Sequence, residues 1–246
     1  MGDASSIEWT DSTWNPVTGC TKVSPGCRNC YAERLSLRLR SMGVHKYRNG
    51  FVPTMHEDAL KQPLYWRRPR MVFVNSMSDL FHERLSFDFI RRCFKVMNEA
   101  DWHTYQILTK RPRRMLEFEH AYGRIPEHIW LGTSVELADY KTRIDILREI
   151  DATVRFVSFE PLLGPMGQLQ LNGIGWAIVG GESGPNCRPT CSEWVREIRD
   201  QCLGQGVRFF FKQWGGPSPK SGGRVLDGKI WDEYPDHPLA RSVPAL

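Results

Sequence analysis

From residue 71 onward one rhythm repeats along the chain: a short apolar run rich in β-branched and aromatic residues, a polar or glycine-containing break, then apolar residues at helical spacing. The runs fall at 71–75, 104–109, 129–132, 154–158, 176–180 and 207–212. Between them, 87–98, 113–120, 137–150 and 192–203 read as amphipathic helices, with Ile90, Cys93, Phe94 and Met97 on one face of the first. Strands alternating with helices imply parallel strands joined by right-handed crossovers. Residues 7–10 supply a first strand, and a helix follows from 31 to about 42. The pattern predicts an α/β fold, a partial (β/α) TIM-type barrel of six or seven parallel strands.

The stretch 43–70 fits the rhythm poorly because Pro53, Pro63 and Pro69 interrupt it, and it reads as an elaborated connection carrying a short helix. Residues 215–246 are rich in Gly and Pro and read as a loop-like cover. With 246 residues and 41% hydrophobic content, we expect a single domain over 1–246, its first strand and a metal-binding loop lying in 1–30. No run approaches about 18 continuous apolar residues, and no apolar segment follows a basic start. The expectation is a soluble, cytoplasmic monomer with no membrane partner.

Seven cysteines are an odd number, and three of them form Cys20-x6-Cys27-x2-Cys30. That clustering suits metal ligation in a reducing compartment better than a disulfide framework. Gly19, Pro25 and Gly26 let the loop fold round so that three sulfurs converge. Three thiolates suit a 4Fe-4S cluster with one iron left open to another ligand; zinc is the alternative, with His45 the nearest histidine for a fourth position. Cys93, Cys187, Cys191 and Cys202 are scattered. Cys187 and Cys191 would share a helix face if their helix began early, and they read either as incidental or as a hydrogen-atom-donating thiol or second metal site.

In barrels of this kind functional side chains sit at the C-terminal ends of strands. Those positions here carry Ser76, Ser78 and Asp79, then Lys110 and Arg111, Ser134 and Glu136, Ser158 and Glu160, Glu182, and Lys212. Charged groups at successive strand ends need solvent, one another or a ligand, so their recurrence points to a polar pocket, against ordinary caps and solvated loops as the bland account. Gly180 and Gly181 before Glu182 let the backbone approach a ligand closely.

The cysteine motif followed by Tyr31, with residues 73–79 (FVNSMSD), 155–161 (RFVSFEP) and 179–184 (VGGESG), resembles the radical S-adenosylmethionine (SAM) superfamily over nearly the whole chain. It resembles more closely a phage-associated three-cysteine family at the edge of that superfamily, and it is distantly similar to the spore photoproduct lyases. Two departures stand out: the superfamily spaces its first two cysteines by three residues rather than six, and its aromatic residue precedes the last cysteine. The resemblance implies a radical-SAM-like barrel, a 4Fe-4S cluster on Cys20, Cys27 and Cys30, and bound SAM as the second cofactor. It implies Ser76, Ser78 and Asp79 for the SAM amine, and Ser134 and Glu136 for its ribose or carboxylate. Lys110 or Arg111 would neutralise that carboxylate or contact a substrate phosphate. Glu160, Glu182, Lys212 and Cys187 remain as catalytic candidates.

Lys plus Arg exceed Asp plus Glu by 33 − 28 = 5, a mildly basic balance compatible with a polyanionic partner. Cations stand beside aromatic residues at 65–68 and 209–214 and cluster at 110–114, the combination a nucleic-acid groove requires. The expected activity is a radical-SAM-type lyase served by an electron donor and acting on DNA, with repair of a photolesion as the most specific assignment and light-driven repair as its variant. The alternative is a nucleic-acid-binding module with a structural cluster or zinc, working with a partner enzyme.

Overall fold

The computed structural model describes residues 5–236. Seven strands form one sheet: β1 (Ser12–Trp14), β2 (Met71–Val74), β3 (Thr104–Thr109), β4 (Ile129–Ser134), β5 (Arg155–Phe159), β6 (Trp176–Gly180) and β7 (Arg208–Gln213). They lie side by side in chain order and every pairing is parallel, with Val72 opposite Tyr105 and Phe156 opposite Trp176. β1 and β7 do not pair with each other, so the sheet is a curled half-barrel, as the alternating pattern predicts.

The helices are α1 (Tyr31–Ser41), α2 (Phe87–Glu99), α3 (Pro112–Tyr122), α4 (Thr142–Glu149) and α5 (Ser192–Gly204). α2 starts where Ser86 accepts a hydrogen bond from the Phe89 amide at 3.2 Å, a side-chain N-cap, and α3 starts on Pro112, whose missing N–H costs nothing in a first turn. The connection over 43–70 holds a short α-helix, Glu57–Leu60, as expected, with 3-10 turns at His45–Tyr47 and Gln62–Tyr65. Among the described residues no helix is long and apolar enough to cross a membrane.

Strand periodicity divides the core into two. Val72, Val74, Leu131, Val157, Ala177, Val179, Phe209 and Phe211 face the helices. Phe73, Trp130, Phe156, Trp176, Ile178 and Phe210 point into the half-barrel and fill it with rings. Gly132 has to be glycine, because a Cβ there would sit 2.5 Å from the Phe156 ring.

Three expectations need correction. Residues 7–10 are not a strand; parallel pairing begins at Ser12 against Val72. Instead Trp9 enters the half-barrel, its ring 4.6 Å from Phe73 and 6.2 Å from Trp176, and its carbonyl accepts from Gln106 Nε2 at 3.2 Å. An open barrel lacks the inward side chains that further strands would supply, and Trp9 takes their place. Second, the stretch 137–150 is helical only over a 3-10 turn, Ala138–Tyr140, and α4. Third, the tail is more than a loop: Val225–Leu226 and Lys229–Ile230 form a hairpin, and the chain then runs antiparallel along β7, with the Phe211 amide donating to the Trp231 carbonyl at 2.8 Å. It covers an edge that would otherwise expose unpaired backbone groups. The end of the expected cover, 237–246, lies outside the described residues. Between β5 and β6 no helix forms; buried Leu162, Met166, Leu169 and Leu171 take its place, and the Gln201 and Gln205 side chains accept from the Leu169 and Leu171 amides at 2.7 and 2.9 Å.

Trp9→Ala empties the centre of the half-barrel and is expected to cost about 3–5 kcal/mol of unfolding free energy, read by urea denaturation. A change below about 0.5 kcal/mol, the range of ordinary surface substitutions, would show that residues 7–10 are not part of the core.

Candidate active site at the mouth of the half-barrel

Along the inward-facing positions side chains turn from aromatic to polar toward the C-terminal ends of the strands. Phe73 gives way to Asn75, Leu108 to Lys110, Trp130 to Ser134, Phe156 to Ser158 and Glu160, and Phe210 to Lys212. The period of two places all of these on the same concave side. The polar members line a cavity of about 760 Å³ together with Cys20, Cys27 and Cys30, with Trp9, Phe73 and Leu108 at its floor.

The cysteine loop is tied to the strand ends by specific bonds. Gly19 has φ +85°, and a Cβ there would lie 2.4 Å from the Val52 carbonyl oxygen, so no other residue fits. Its amide donates to the Met77 carbonyl at 3.0 Å, and the Cys20 amide donates to that of Phe51 at 3.1 Å. The Asn15 side chain accepts from the Met77 amide at 2.9 Å, and the Tyr31 hydroxyl donates to the Ser76 carbonyl. All three thiols are free, partly buried and on the cavity wall.

Arg111 is the buried centre of this arrangement. Its Nη1 donates to Asp79 Oδ2 at 2.9 Å and approaches Cys20 Sγ at 3.6 Å; Nε donates to Glu83 at 2.7 Å; Nη2 donates to the Thr21 carbonyl at 3.2 Å and hydroxyl at 3.0 Å. Five N–H groups meet five acceptors. Burial opposes its charge, but Asp79, Glu83 and Cys20 outweigh that and raise its pKa. Cys20 is pushed up to about 11, chiefly by burial and then by the Asp79 carboxylate, with Arg111 opposing both. Burial also raises the Cys30 thiol.

The other strand-end carboxylates are paired as well. Glu136, fully buried, accepts from Arg143 at 3.0 Å. Glu160 accepts from Lys212 at 2.8 Å and from the Ser158 hydroxyl at 3.2 Å. Glu182 accepts from Arg188 Nε and from Asn29 Nδ2, both at 2.9 Å, while Arg188 Nη1 reaches the Pro25 carbonyl at 3.0 Å. Burial opposes its ionisation, yet these donors hold the Glu182 carboxyl below its ordinary range. Lys110 lines the cavity with its ammonium unpartnered among the described residues.

The expected site residues therefore separate. Ser76, Ser78, Asp79, Lys110, Ser134, Glu160, Glu182 and Lys212 all line the cavity; Glu136 and Cys187 do not. Asp79 has no free acceptor position, since Phe81 N, Thr109 Oγ1, Lys110 N and Arg111 Nη1 occupy its two oxygens. Glu136 is covered by Gly26, where a Cβ would sit 3.1 Å from its carboxyl carbon. Cys191 is the residue before α5 and Cys187 lies in the preceding loop, so the two do not share a helix face. Arg188, Asn29 and Arg34 escaped the sequence reading, since nothing local in sequence links 25–34 to 182–188; Arg34 Nη2 donates to the Ser183 carbonyl at 3.1 Å.

The cationic and aromatic clusters also resolve differently from the expected groove. Phe209 and Phe211 are buried under helices, Arg114 stacks over Phe87 at 4.6 Å, and Trp66 is buried beside Trp102, before β2 rather than after it.

A metal must suit these donors. Among the described residues, no three His, Cys, Asp or Glu side chains converge as one ion requires. A single zinc holds every ligand about 2.0–2.3 Å from one centre, whereas a cubane takes each thiolate on a separate iron. His45 is exposed in a 3-10 turn, its ring 2.7 Å from Arg48 Nη1, and does not line the cavity. Three soft thiols on one wall fit a cluster by donor chemistry.

A family model described as "Protein of unknown function (DUF5131)" matches residues 4–235. No curated protein matches the sequence. Among solved structures, "Spore photoproduct lyase complexed with dinucleoside spore photoproduct" is similar over 83% of this chain, at 10% identity and a TM-score of 0.47. The chain spans 64% of that structure's length, and at that score the likeness says nothing of this chain's chemistry.

Arg111→Gln leaves Asp79 buried without its cation and is expected to cost about 3–5 kcal/mol in chemical denaturation, with part of the loss recovered when Asp79→Asn is added. Equal losses in the single and double variants would contradict the clamp. In metal-free protein, iodoacetamide should alkylate Cys20 slowly at neutral pH and faster as pH rises toward about 11, because only the thiolate reacts. Peptide mass spectrometry showing a rate already flat above neutrality would contradict that ordering.

Proposed function

The chain belongs to the DUF5131 family, whose description states no function, and from that premise we propose that it is an iron-sulfur, SAM-dependent enzyme of the radical-SAM type acting on nucleic acid. The observation that carries this reading is the placement of three free thiols on one wall of a cavity at the C-terminal mouth of a parallel half-barrel. Within that class we assign repair of a DNA photolesion, on the resemblance of the sequence motifs to the spore photoproduct lyases and on a cavity roomy enough for a ligand of nucleoside size.

Cys20, Cys27 and Cys30 would hold a 4Fe-4S cluster, which when bound supplies single-electron chemistry to SAM from an external electron donor. The chain's own groups do the rest. Arg111 fixes the Cys20 end of the loop against β2 and β3, and Arg188 fixes the other end against β6. Ser134 offers a hydroxyl at the cavity wall, the Ser76 hydroxyl is held by the Asn15 side chain at 3.1 and 3.2 Å, and Lys110 is an unpaired cation for a carboxylate or phosphate. Asp79 and Glu136 act through Arg111 and Arg143 rather than by touching a ligand. The Glu160 and Lys212 pair stands ready to exchange its mutual bond for bonds to substrate, with Ser158 steadying the carboxylate. Glu182 keeps the loop in place, and Cys187, off the cavity wall, receives no role. The aromatic floor excludes water from below.

A nucleic-acid-binding module with a structural metal would need a fourth protein ligand, and His45 faces elsewhere. Anaerobic reconstitution is expected to load about four irons per chain and to confer SAM binding in calorimetry. Cys27→Ala should lose both while its far-ultraviolet circular dichroism is unchanged. An iron-free, zinc-bound protein indifferent to SAM would contradict the proposal.

A further inference from the structure

α1 is a helix with almost nothing buried: of its eleven residues only Ala32 and Ser36 are inaccessible. Tyr31, Leu35 and Leu37 are 50%, 39% and 49% exposed, unusual for a helix beside a cavity. Tyr31, Arg34, Leu35 and Arg38, at i, i+3, i+4 and i+7, form one face, and all four line the cavity. The helix is thus a wall of the site that extends outward past its rim.

Its charge is one-sided. Residues 28–48 hold six Lys or Arg (Arg28, Arg34, Arg38, Arg40, Lys46 and Arg48) and one acid, Glu33. Glu33 is engaged with Lys22 at 2.8 Å. Arg34 donates to the Ser183 and Pro185 carbonyls, Lys46 to that of Asn15, and Arg48 sits on His45. Arg28, Arg38 and Arg40 have no carboxylate partner among the described residues.

We propose that α1 is the docking wall for a single-stranded polynucleotide, its phosphates on Arg38 and Arg28 and an unstacked base against Tyr31 and Leu35 at the cavity mouth. This rests on the reading that the cavity acts on nucleic acid, and it says which surface delivers the strand. Uncompensated guanidinium groups take phosphates, and exposed apolar side chains among them take a base face, which a paired duplex would not present. The face is part of a concave wall, the wrong shape for a flat lipid surface.

The test is fluorescence anisotropy of a labelled oligodeoxythymidylate with the full chain across a salt series. R28Q/R38Q is expected to bind about tenfold more weakly, with the slope of log K against log salt shallower by about 1.4, two contacts at about 0.7 each. R67Q/R68Q, the same charge change on exposed residues ahead of β2, should bind as wild type does. Equal effects of the two pairs, or none from R28Q/R38Q, would overturn α1 as the wall while leaving nucleic acid as the substrate class. A wild-type chain that ignores the oligonucleotide but binds phosphatidylserine-containing vesicles through Arg28 and Arg38 would overturn both, and SAM titration would still report the cofactor reading separately.

Discussion

A guanidinium taken out of water must find an acceptor for every N–H it carries, and Arg111 does so by holding together parts of the chain that have no other reason to meet. Asp79 comes from the loop after β2, Glu83 from farther along it, and Thr21 and Cys20 from the loop after β1. Replacing any of these acceptors leaves a donor unpaired in a setting where that is costly. The position of the cysteine loop over the mouth is thus set by hydrogen-bond satisfaction at Arg111 more than by hydrophobic packing. Arg188 repeats the device on the far side, linking Glu182 to the Pro25 carbonyl. Between these two clamps the three thiols face the cavity.

The half-barrel supplies the rest. Its sheet buries one face under helices and the other under rings, and the inward rings stop where the strands end. Trp9 from below and Tyr234 from the tail, whose ring lies 5.2 Å from that of Trp176, close what the missing strands leave open. The inward rings are buried, and the polar groups above them are oriented by one another. Lys110 and Arg38 of α1 depart from this pairing rule, and they are the groups left for a ligand.

Much of the architecture was legible because it is local. The period of two in 71–75 and 176–180, and the period of 3.6 in 87–98, fix strands and helices without reference to partners. The cysteine motif was legible because its residue types are rare and closely spaced. What stayed hidden is non-local. Residues 7–10 alternate as a strand would, and only the absence of neighbours across the open barrel sends Trp9 inside. Phe209 and Phe211 looked like a stacking platform because sequence does not tell which side of a sheet carries helices. Arg188 and Glu182 are six residues apart, yet the meaning of the pair comes from Pro25 and Asn29, more than 150 residues away. Arg38 drew no notice because a charged helix is ordinarily just solvated; its significance comes from how little α1 buries.

The central claim is that Cys20, Cys27 and Cys30 hold a cluster with one iron open to SAM. Electron paramagnetic resonance of the anaerobically reduced protein, with and without SAM, tests it most directly. The account predicts a signal from a reduced 4Fe-4S cluster whose shape changes when SAM is added, because a ligand joins the open iron. A silent protein, or a cluster signal unmoved by saturating SAM, would contradict it.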